Sequence, residues 1–226
     1  MGTLYLVRHG QASLGADDYD QLSELGQRQC RLLGEYWRAR QMRFDAVLSG
    51  GLRRHAQSLA AIQQGLSPDR LLQAQIWPEL NEYDSEALIR SVQGASTPLP
   101  RPQNAEAARQ YFRWLREGLR AWMAGQSQPE GMPSFAEFSA GVAAALAHVR
   151  QHCEGQVLLV SSGGPISVAI GQVLAMPSES VIELNLRLRN SAFSEFSLGP
   201  KRLALQTFNT LPHLDSPETA HLISAA

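Results

Sequence analysis

The sequence predicts an α/β fold of three layers, in which a mainly parallel central sheet is covered by helices on both faces. Short, largely apolar runs lie at residues 4–7, 45–48 and 156–160, and each is followed by a glycine-containing turn and a helical pattern. Strands that are buried on both faces carry apolar side chains at successive positions, as in parallel sheets. We predict a single domain over residues 1–226, with a helical insertion at about 90–152 over the strand ends.

The first half of the chain predicts two units of strand and helix. After the strand at 4–7, residues 22–40 have apolar side chains at helical spacing, and Ser23 is placed to cap this helix. The strand at 45–48 leads into a helix at 52–64 and then a loop at 77–84. Four glycine and proline residues within 94–102 predict a boundary there.

The second half begins with helices predicted at 104–123 and 135–152. Their apolar side chains are assigned to the core, and some of those in 104–123 are candidates for lining a pocket. After the strand at 156–160, a helix enters through Gly-Gly-Pro and runs to about residue 175. Further strands are predicted at 181–186, 192–198 and 203–207, and an irregular tail is predicted beyond Pro212.

Composition excludes several classes of protein. The chain has 226 residues, of which 44% are hydrophobic and 18% charged, a globular balance. The net charge is −1 without a cluster of basic residues, so neither nucleic acid nor an acidic membrane surface is expected as a partner. Cys30 and Cys153 are expected to be reduced thiols, and we expect a soluble cytoplasmic protein. A homodimer is left open.

Polar turns follow three of the predicted strands, at 8–10, 49–51 and 161–164. Ligands of such folds gather at the carboxyl ends of the strands, so we expect these turns to meet in one pocket. Arg8 and His9 suit a phosphate, because a guanidinium binds it with paired donors and an imidazole can attack phosphorus. Gly10 would let the backbone approach a ligand closely. Arg53 and Arg54 lie where a helix N-terminus favours an anion. Taken singly, each feature also fits an ordinary exposed surface.

Together, four segments resemble the histidine phosphatase superfamily, also called phosphoglycerate mutase-like. The resemblance covers roughly residues 3–90 and 155–210. It is carried by Leu6-Val7-Arg8-His9-Gly10-Gln11, by Leu22-Ser23 with Gly26 and Gln29, by Ser49 with Leu52, Arg54, Gln57 and Ser58, and by Leu80-Asn81-Glu82.

The resemblance implies a reaction and a set of site residues. His9 would attack a small phosphorylated substrate to give a phosphohistidine, while Arg8 and Arg54 offset charge on the phosphoryl oxygens. Glu82 would protonate the leaving alcohol and then assist water. No metal or cofactor is implied. The expected binding residues for substrate or inorganic phosphate are Arg8, Gly10, Gln11, Arg54, Ser162 and Gly163.

One position departs from the family's pattern. Ser162 stands where the family has the histidine of Ser-His-Gly-Gly, and a hydroxyl cannot supply an imidazolium's charge. Loss of a comparable donor costs about 10²–10³ in rate, so reduced efficiency is expected, partly offset by the backbone N–H groups of Gly163 and Gly164. His55 directly follows Arg54, but successive helical side chains diverge by about 100°. We therefore expect His55 to face away from the pocket.

Other motifs in the sequence are weaker. His148 and His152 have a helical spacing that can hold zinc, but no third ligand is evident, so they are assigned to a solvated face. The hydrolase pattern G-x-S-x-G is absent around Ser162, because Val160 stands at the first glycine. The dinucleotide pattern G-x-G-x-x-G is absent as well.

Three functions remain, in order of preference. The first is a phosphomonoesterase with a metal-independent histidine mechanism. The second is a phosphate-binding or regulatory module that keeps the pocket without turnover, which Ser162 motivates. The third is a phosphoglycerate mutase-type transferase. It is disfavoured because Tyr83-Asp84-Ser85 follows Glu82, where such mutases have Arg-His-Tyr-Gly.

Overall fold

A computed structural model describes residues 2–13, 20–67, 73–94, 104–199 and 201–225. Its centre is a six-stranded sheet of order β3-β2-β4-β1-β5-β6. The first four strands in this order are mutually parallel, and β5 and β6 are antiparallel. The predicted three-layer α/β class with a mainly parallel centre is confirmed. The strands are β1 Gly2–Arg8, β2 Ala46–Ser49, β3 Gln75–Ile76, β4 Gly155–Ser161, β5 Phe193–Leu198 and β6 Leu203–Thr210.

Seven helices longer than a 3-10 turn occur within the described residues. Five of them match the predicted helices, and Ser23 caps the first by accepting a hydrogen bond from the Gly26 N–H at 3.1 Å. The predicted irregular tail contains the short 3-10 turns Pro212–Leu214 and Ala220–Leu222. The helices are α1 Glu24–Ala39, α2 Arg53–Leu66, α3 Ser85–Gln93, α4 Ala105–Met123, α5 Phe135–His152, α6 Gly163–Leu174 and α7 Ser178–Asn185.

The strand predicted at 181–186 is wrong, because this segment belongs to α7. Its apolar residues alternate with polar ones as in a strand, but tertiary contacts decide for a helix. Val181 packs on α6 at Gly171. The Glu179 carboxylate accepts from Arg120 Nε of α4 at 2.7 Å, and Glu183 pairs with Arg116 of the same helix.

Helix α3 and strand β3 were not predicted. Asp84 starts α3 by accepting from the N–H groups of Glu86 and Ala87, and Gly94 ends it in the left-handed conformation. The predicted loop at 77–84 contains the 3-10 turn Pro78–Leu80. Most of the boundary predicted at 94–102 lies outside the described residues.

The sheet has an apolar cluster on each face. Alternate residues of β1 point to opposite sides, so that Leu4 and Leu6 join one cluster and Val7 joins the other. The side of Leu4 and Leu6 is covered by α3 to α7, and the side of Val7 by α1 and α2. Within the described residues, no helix combines the length and apolar character needed to span a bilayer.

The carboxyl ends of β1, β4 and β2 lie side by side, which brings the three polar turns together as predicted. The His9 N–H donates to the Ser161 carbonyl at 2.9 Å, and the Gly50 N–H donates to the Val160 carbonyl at 3.0 Å. The Ser161 hydroxyl donates to the Leu80 carbonyl at 2.7 Å, which attaches the loop that carries Glu82 to the same edge.

Candidate active site

His9 is the first residue after β1, and its side chain is almost fully buried. Nδ1 lies 2.7 Å from the Gly10 carbonyl oxygen, which can only accept, so the proton is on Nδ1 and Nε2 presents a lone pair. Arg54 Nε donates toward this Nε2 at 3.3 Å. Burial lowers the pKa of His9 well below its ordinary value, and Arg8, Arg54 and His55 lower it further. The lowered pKa favours a neutral imidazole, whose Nε2 lone pair faces the Arg54 guanidinium.

Arg54 and Arg8 carry the positive charge around His9. Arg54 lies in the first turn of α2 and is buried, whereas Arg53 is exposed, so Arg54 is the arginine of this pair that faces the pocket. Its Nη1 forms an ion pair with Asp20 Oδ1 at 2.7 Å. The Arg8 Nη1 donates to the Leu188 carbonyl. Both guanidinium groups are thus held in place by the protein.

Asp20 is a site residue that the sequence analysis did not identify. Besides pairing with Arg54, its carboxylate accepts a hydrogen bond from the Arg53 N–H at 2.9 Å. It therefore occupies the N-terminus of α2, where an anion is favoured. No motif quoted for the family includes this position, and its partners in α2 are more than 30 residues away along the chain.

Glu82 faces the same pocket from the loop before α3. Its Oε1 accepts from the Gly164 N–H at 3.0 Å, in the first turn of α6. Burial raises the pKa of Glu82, against the opposing effects of Arg54, Arg8 and the backbone N–H groups of Gly164 and Tyr83. The carboxyl group therefore keeps its proton to higher pH than an exposed glutamic acid and suits a general acid.

Tyr83 and Asn185 support the arrangement around Glu82, and sequence reasoning missed both. The Asn185 Nδ2 donates to the Tyr83 hydroxyl at 2.5 Å. A Cβ atom on Gly164 would lie 2.3 Å from Glu82 Oε1 and 2.6 Å from the Tyr83 ring. Only glycine at 164 permits this close approach. Asn185 was missed because its segment was predicted as a strand.

Ser162 and His55 form a buried pair beside His9. The Ser162 Oγ lies 2.7 Å from His55 Nε2, and the rings of His55 and His9 are 5.8 Å apart between centroids. The expectation that His55 faces away from the pocket is therefore wrong. Because α2 begins at the edge of the sheet, two side chains of its first turn can diverge and still flank the same pocket. Burial, with a further contribution from Arg54, lowers the pKa of His55 to about 3.

The remaining expected binding residues have mixed placements. Gly163 lies beside the site, since a Cβ atom on it would be 3.6 Å from Glu82 Oε2. The Gln11 side chain instead accepts a hydrogen bond from Ser23 Oγ at 3.0 Å, at the start of α1. Space for a Cβ atom on Gly10 is taken by the Gly26 carbonyl oxygen, 2.3 Å away, so this glycine is required by the close approach of α1.

Comparison with known families supports the assignment that this geometry suggests. Residues 4–211 match the histidine phosphatase superfamily, branch 1. The chain belongs to this superfamily. No curated protein sequence matches the chain.

Solved structures with the fold of this superfamily member include several phosphatases. The alpha-ribazole phosphatase of Shigella flexneri is 26% identical, with a TM-score of 0.65, and the match covers 92% of this chain and 96% of that one. The phosphoserine phosphatase of Entamoeba histolytica, in complex with phosphoserine, is 18% identical with a TM-score of 0.64 over 95% and 100% of the two chains. The mycobacterial glucosyl-3-phosphoglycerate phosphatase, with inorganic phosphate, is 21% identical with a TM-score of 0.64 over 95% and 100%.

A cavity of about 420 Å³ opens next to Glu82 in this histidine phosphatase superfamily member. Its described lining includes the apolar side chains of Met132 and Phe138, and none of the described lining residues is basic. Its acidic lining residues are Glu79, Glu82, Asp84 and Glu137. The cavity is therefore acidic on the side that borders Glu82.

The two histidines of α5 lie apart from this site. His148 Nε2 lies 3.0 Å from Gln75 Oε1, and its ring is 4.9 Å from that of Trp77. His148 is therefore partly covered, while His152 is exposed. The described portion of the chain has no group of three or more His, Cys, Asp or Glu residues arranged to hold a metal ion.

Proposed function

We propose that this protein hydrolyses the phosphomonoester of a small substrate through a phosphohistidine on His9. The observation that carries the proposal is the orientation of the His9 ring. Its Nδ1–H is fixed on the Gly10 carbonyl at 2.7 Å, and its Nε2 lone pair lies 3.3 Å from Arg54 Nε, beside the charge that a phosphoryl group requires.

The proposed reaction has two steps. The His9 Nε2 attacks phosphorus, and the bond between phosphorus and the alcohol oxygen breaks as that oxygen takes the Glu82 proton. Water then attacks the phosphohistidine, the Glu82 carboxylate takes a proton from the water, and the P–N bond breaks to release inorganic phosphate. Arg8 and Arg54 offset the charge on the phosphoryl oxygens throughout.

These steps use protein side chains alone, so the proposed activity is metal-independent and should survive dialysis against a chelator. The structural relatives in complex with phosphoserine and with inorganic phosphate support a phosphorylated substrate or phosphate as the ligand.

We place the alcohol part of the substrate in the cavity beside Glu82, whose lining restricts the charge that this part can carry. Its acidic lining disfavours a leaving group with its own carboxylate or second phosphate, because like charges at short range repel. Asp84 and Glu137 cap helices, which offsets part of their charge, but no described lining residue supplies a cation. We infer a neutral or cationic alcohol. The same argument disfavours a mutase that acts on a carboxylated phosphoglycerate.

Hydrolysis of p-nitrophenyl phosphate by wild-type protein and His9→Ala tests the proposal. We expect turnover by the wild type, its loss in the variant, and an acid-labile phosphoenzyme after rapid quenching of the wild type. Equal rates in the two proteins would contradict the role of His9. Calorimetric binding of phosphate by a wild-type protein that shows no turnover would instead support the alternative of a phosphate-binding module.

A further inference from the structure

His55 is a buried imidazole at the centre of the site that the proposed reaction does not use. It is fully buried, and Nε2 is 2.7 Å from Ser162 Oγ. Its Nδ1 faces the backbone of Gly50, a contact that acts to raise the pKa of His55, but no hydrogen bond of normal geometry forms there. Burial of a polar ring is costly unless its contacts compensate, so the contact with Ser162 is the feature that needs an explanation.

Ser162 lies between His9 and helix α6, whose Gly164 N–H binds Glu82. Ser161 is in register with Arg8 across the β4–β1 pair, and its carbonyl accepts from the His9 N–H at 2.9 Å. Ser162 is therefore the next residue along, beside His9. It is also the N-cap of α6, but its side chain makes no capping hydrogen bond and is bonded to His55 instead. Two residues further on, the Gly164 N–H binds Glu82.

The direction of the Ser162 hydroxyl depends on His55. A hydroxyl has one proton to donate. If Ser162 donates to His55, only oxygen lone pairs remain for the pocket, and these repel a phosphate oxygen. If His55 Nε2–H donates to Ser162, the hydroxyl proton is free to point toward an anion next to His9. A bound phosphate selects the second arrangement, because Nε2 then supplies the proton that Ser162 accepts.

We propose that His55 is a positioning residue that acts through Ser162: its Nε2–H donates to Ser162 Oγ, and the Ser162 hydroxyl donates to the phosphoryl group carried by His9. This inference rests on the proposed function. It assigns to a pair of residues from α2 and the end of β4 the donor that a single imidazole at position 162 would supply. In this arrangement the Ser162 hydroxyl donates to the phosphoryl group, and the buried His55 fixes the direction of that hydroxyl.

The test is a double-mutant cycle on His55 and Ser162. Loss of one preorganised donor costs about 10²–10³ in kcat, so His55→Ala and Ser162→Ala should each fall by about that factor. The double variant should fall no further than the singles, because both remove the same hydrogen-bond relay. His55→Gln places an amide N–H near the position of Nε2 and should recover part of the rate. The matched control is His152→Ala, which removes an exposed imidazole far from the site.

Each outcome decides the inference. Single variants that fold and retain the wild-type kcat would overturn it, and so would losses that multiply in the double variant. If His55→Ala fails to fold, Ser162→Ala decides, since it removes only a hydroxyl. If the wild type itself has no turnover, the proposed function fails while the inference stays testable with inorganic phosphate. Calorimetry should then show weaker binding by both single variants and no further loss in the double, and unchanged affinity in the singles would refute the relay.

Discussion

Replacing Gly164 with alanine should separate the general acid from the nucleophile. The new Cβ would lie 2.3 Å from Glu82 Oε1, whereas ordinary contacts begin near 3.4 Å. The carboxyl group must therefore retreat by about 1 Å, and the Tyr83 ring, 2.6 Å from the same Cβ, blocks an easy shift. A displacement of this size costs on the order of 10²-fold when it affects a reacting group.

The loss of activity in Gly164→Ala should depend on the leaving group of the substrate. An alkyl phosphate needs a proton on its departing oxygen, so its hydrolysis by Gly164→Ala should fall about 10²-fold. The p-nitrophenolate ion leaves without protonation, so hydrolysis of its phosphate ester should fall much less. His9, Arg8 and Arg54 are untouched, and inorganic phosphate should still inhibit.

Gly51→Ala is the matched control. It lies at the end of β2 on the same edge of the sheet, and its Cβ would meet its nearest neighbours at an ordinary 3.6 Å. We expect rates within about twofold of wild type for both substrates. Alkyl phosphate hydrolysis by Gly164→Ala that stays near the wild-type rate, in a variant with a normal unfolding transition, would refute the placement of Glu82 as the general acid.

Two further predictions concern pH. Glu82 must be protonated to donate, and its pKa is raised by burial, so kcat/KM should fall as pH rises through that raised value. Glu82→Gln should abolish this alkaline limb, and an unchanged limb would assign it to another group. Burial also lowers the pKa of His213 to about 3. In the unfolded chain the His213 imidazole is protonated below about pH 6.5, whereas in the folded protein it stays neutral down to about pH 3. The contribution of neutral His213 to the free energy of unfolding is therefore complete above pH 6.5 and is lost as the pH falls toward 3. At pH 5 the free energy of unfolding should be lower by about 2 kcal/mol because of this residue. Denaturant unfolding of His213→Gln should lack this part of the pH dependence. A variant with the wild-type slope would contradict this.

Local patterns were enough to place the main elements of the site. A buried strand followed by a polar turn identified Arg8 and His9, and the next strand–helix unit identified Arg53 and Arg54. The family resemblance then selected Arg54. Since parallel strands end at one edge of a sheet, the meeting of these turns followed from the α/β pattern alone.

Local patterns failed where distant contacts compete with them. Residues 181–186 alternate as a strand does, yet ion pairs with α4 and packing on α6 make them helical. That error also hid Asn185 from the analysis. The need for glycine at position 10 also has a distant cause that the sequence did not show, because a Cβ atom there would meet the Gly26 carbonyl oxygen of α1.

The sequence by itself determined the fold class and the family, and it predicted a set of candidate phosphate-binding residues, because these depend on strand order and on residue types within short motifs. Only the tertiary structure decided which side chain contacts the serine at 162. Its partner, His55, is 107 residues away, and helical geometry alone predicted that this imidazole would point elsewhere. The position of α2 at the sheet edge brings the imidazole to Ser162, and no local pattern in the chain encodes that position.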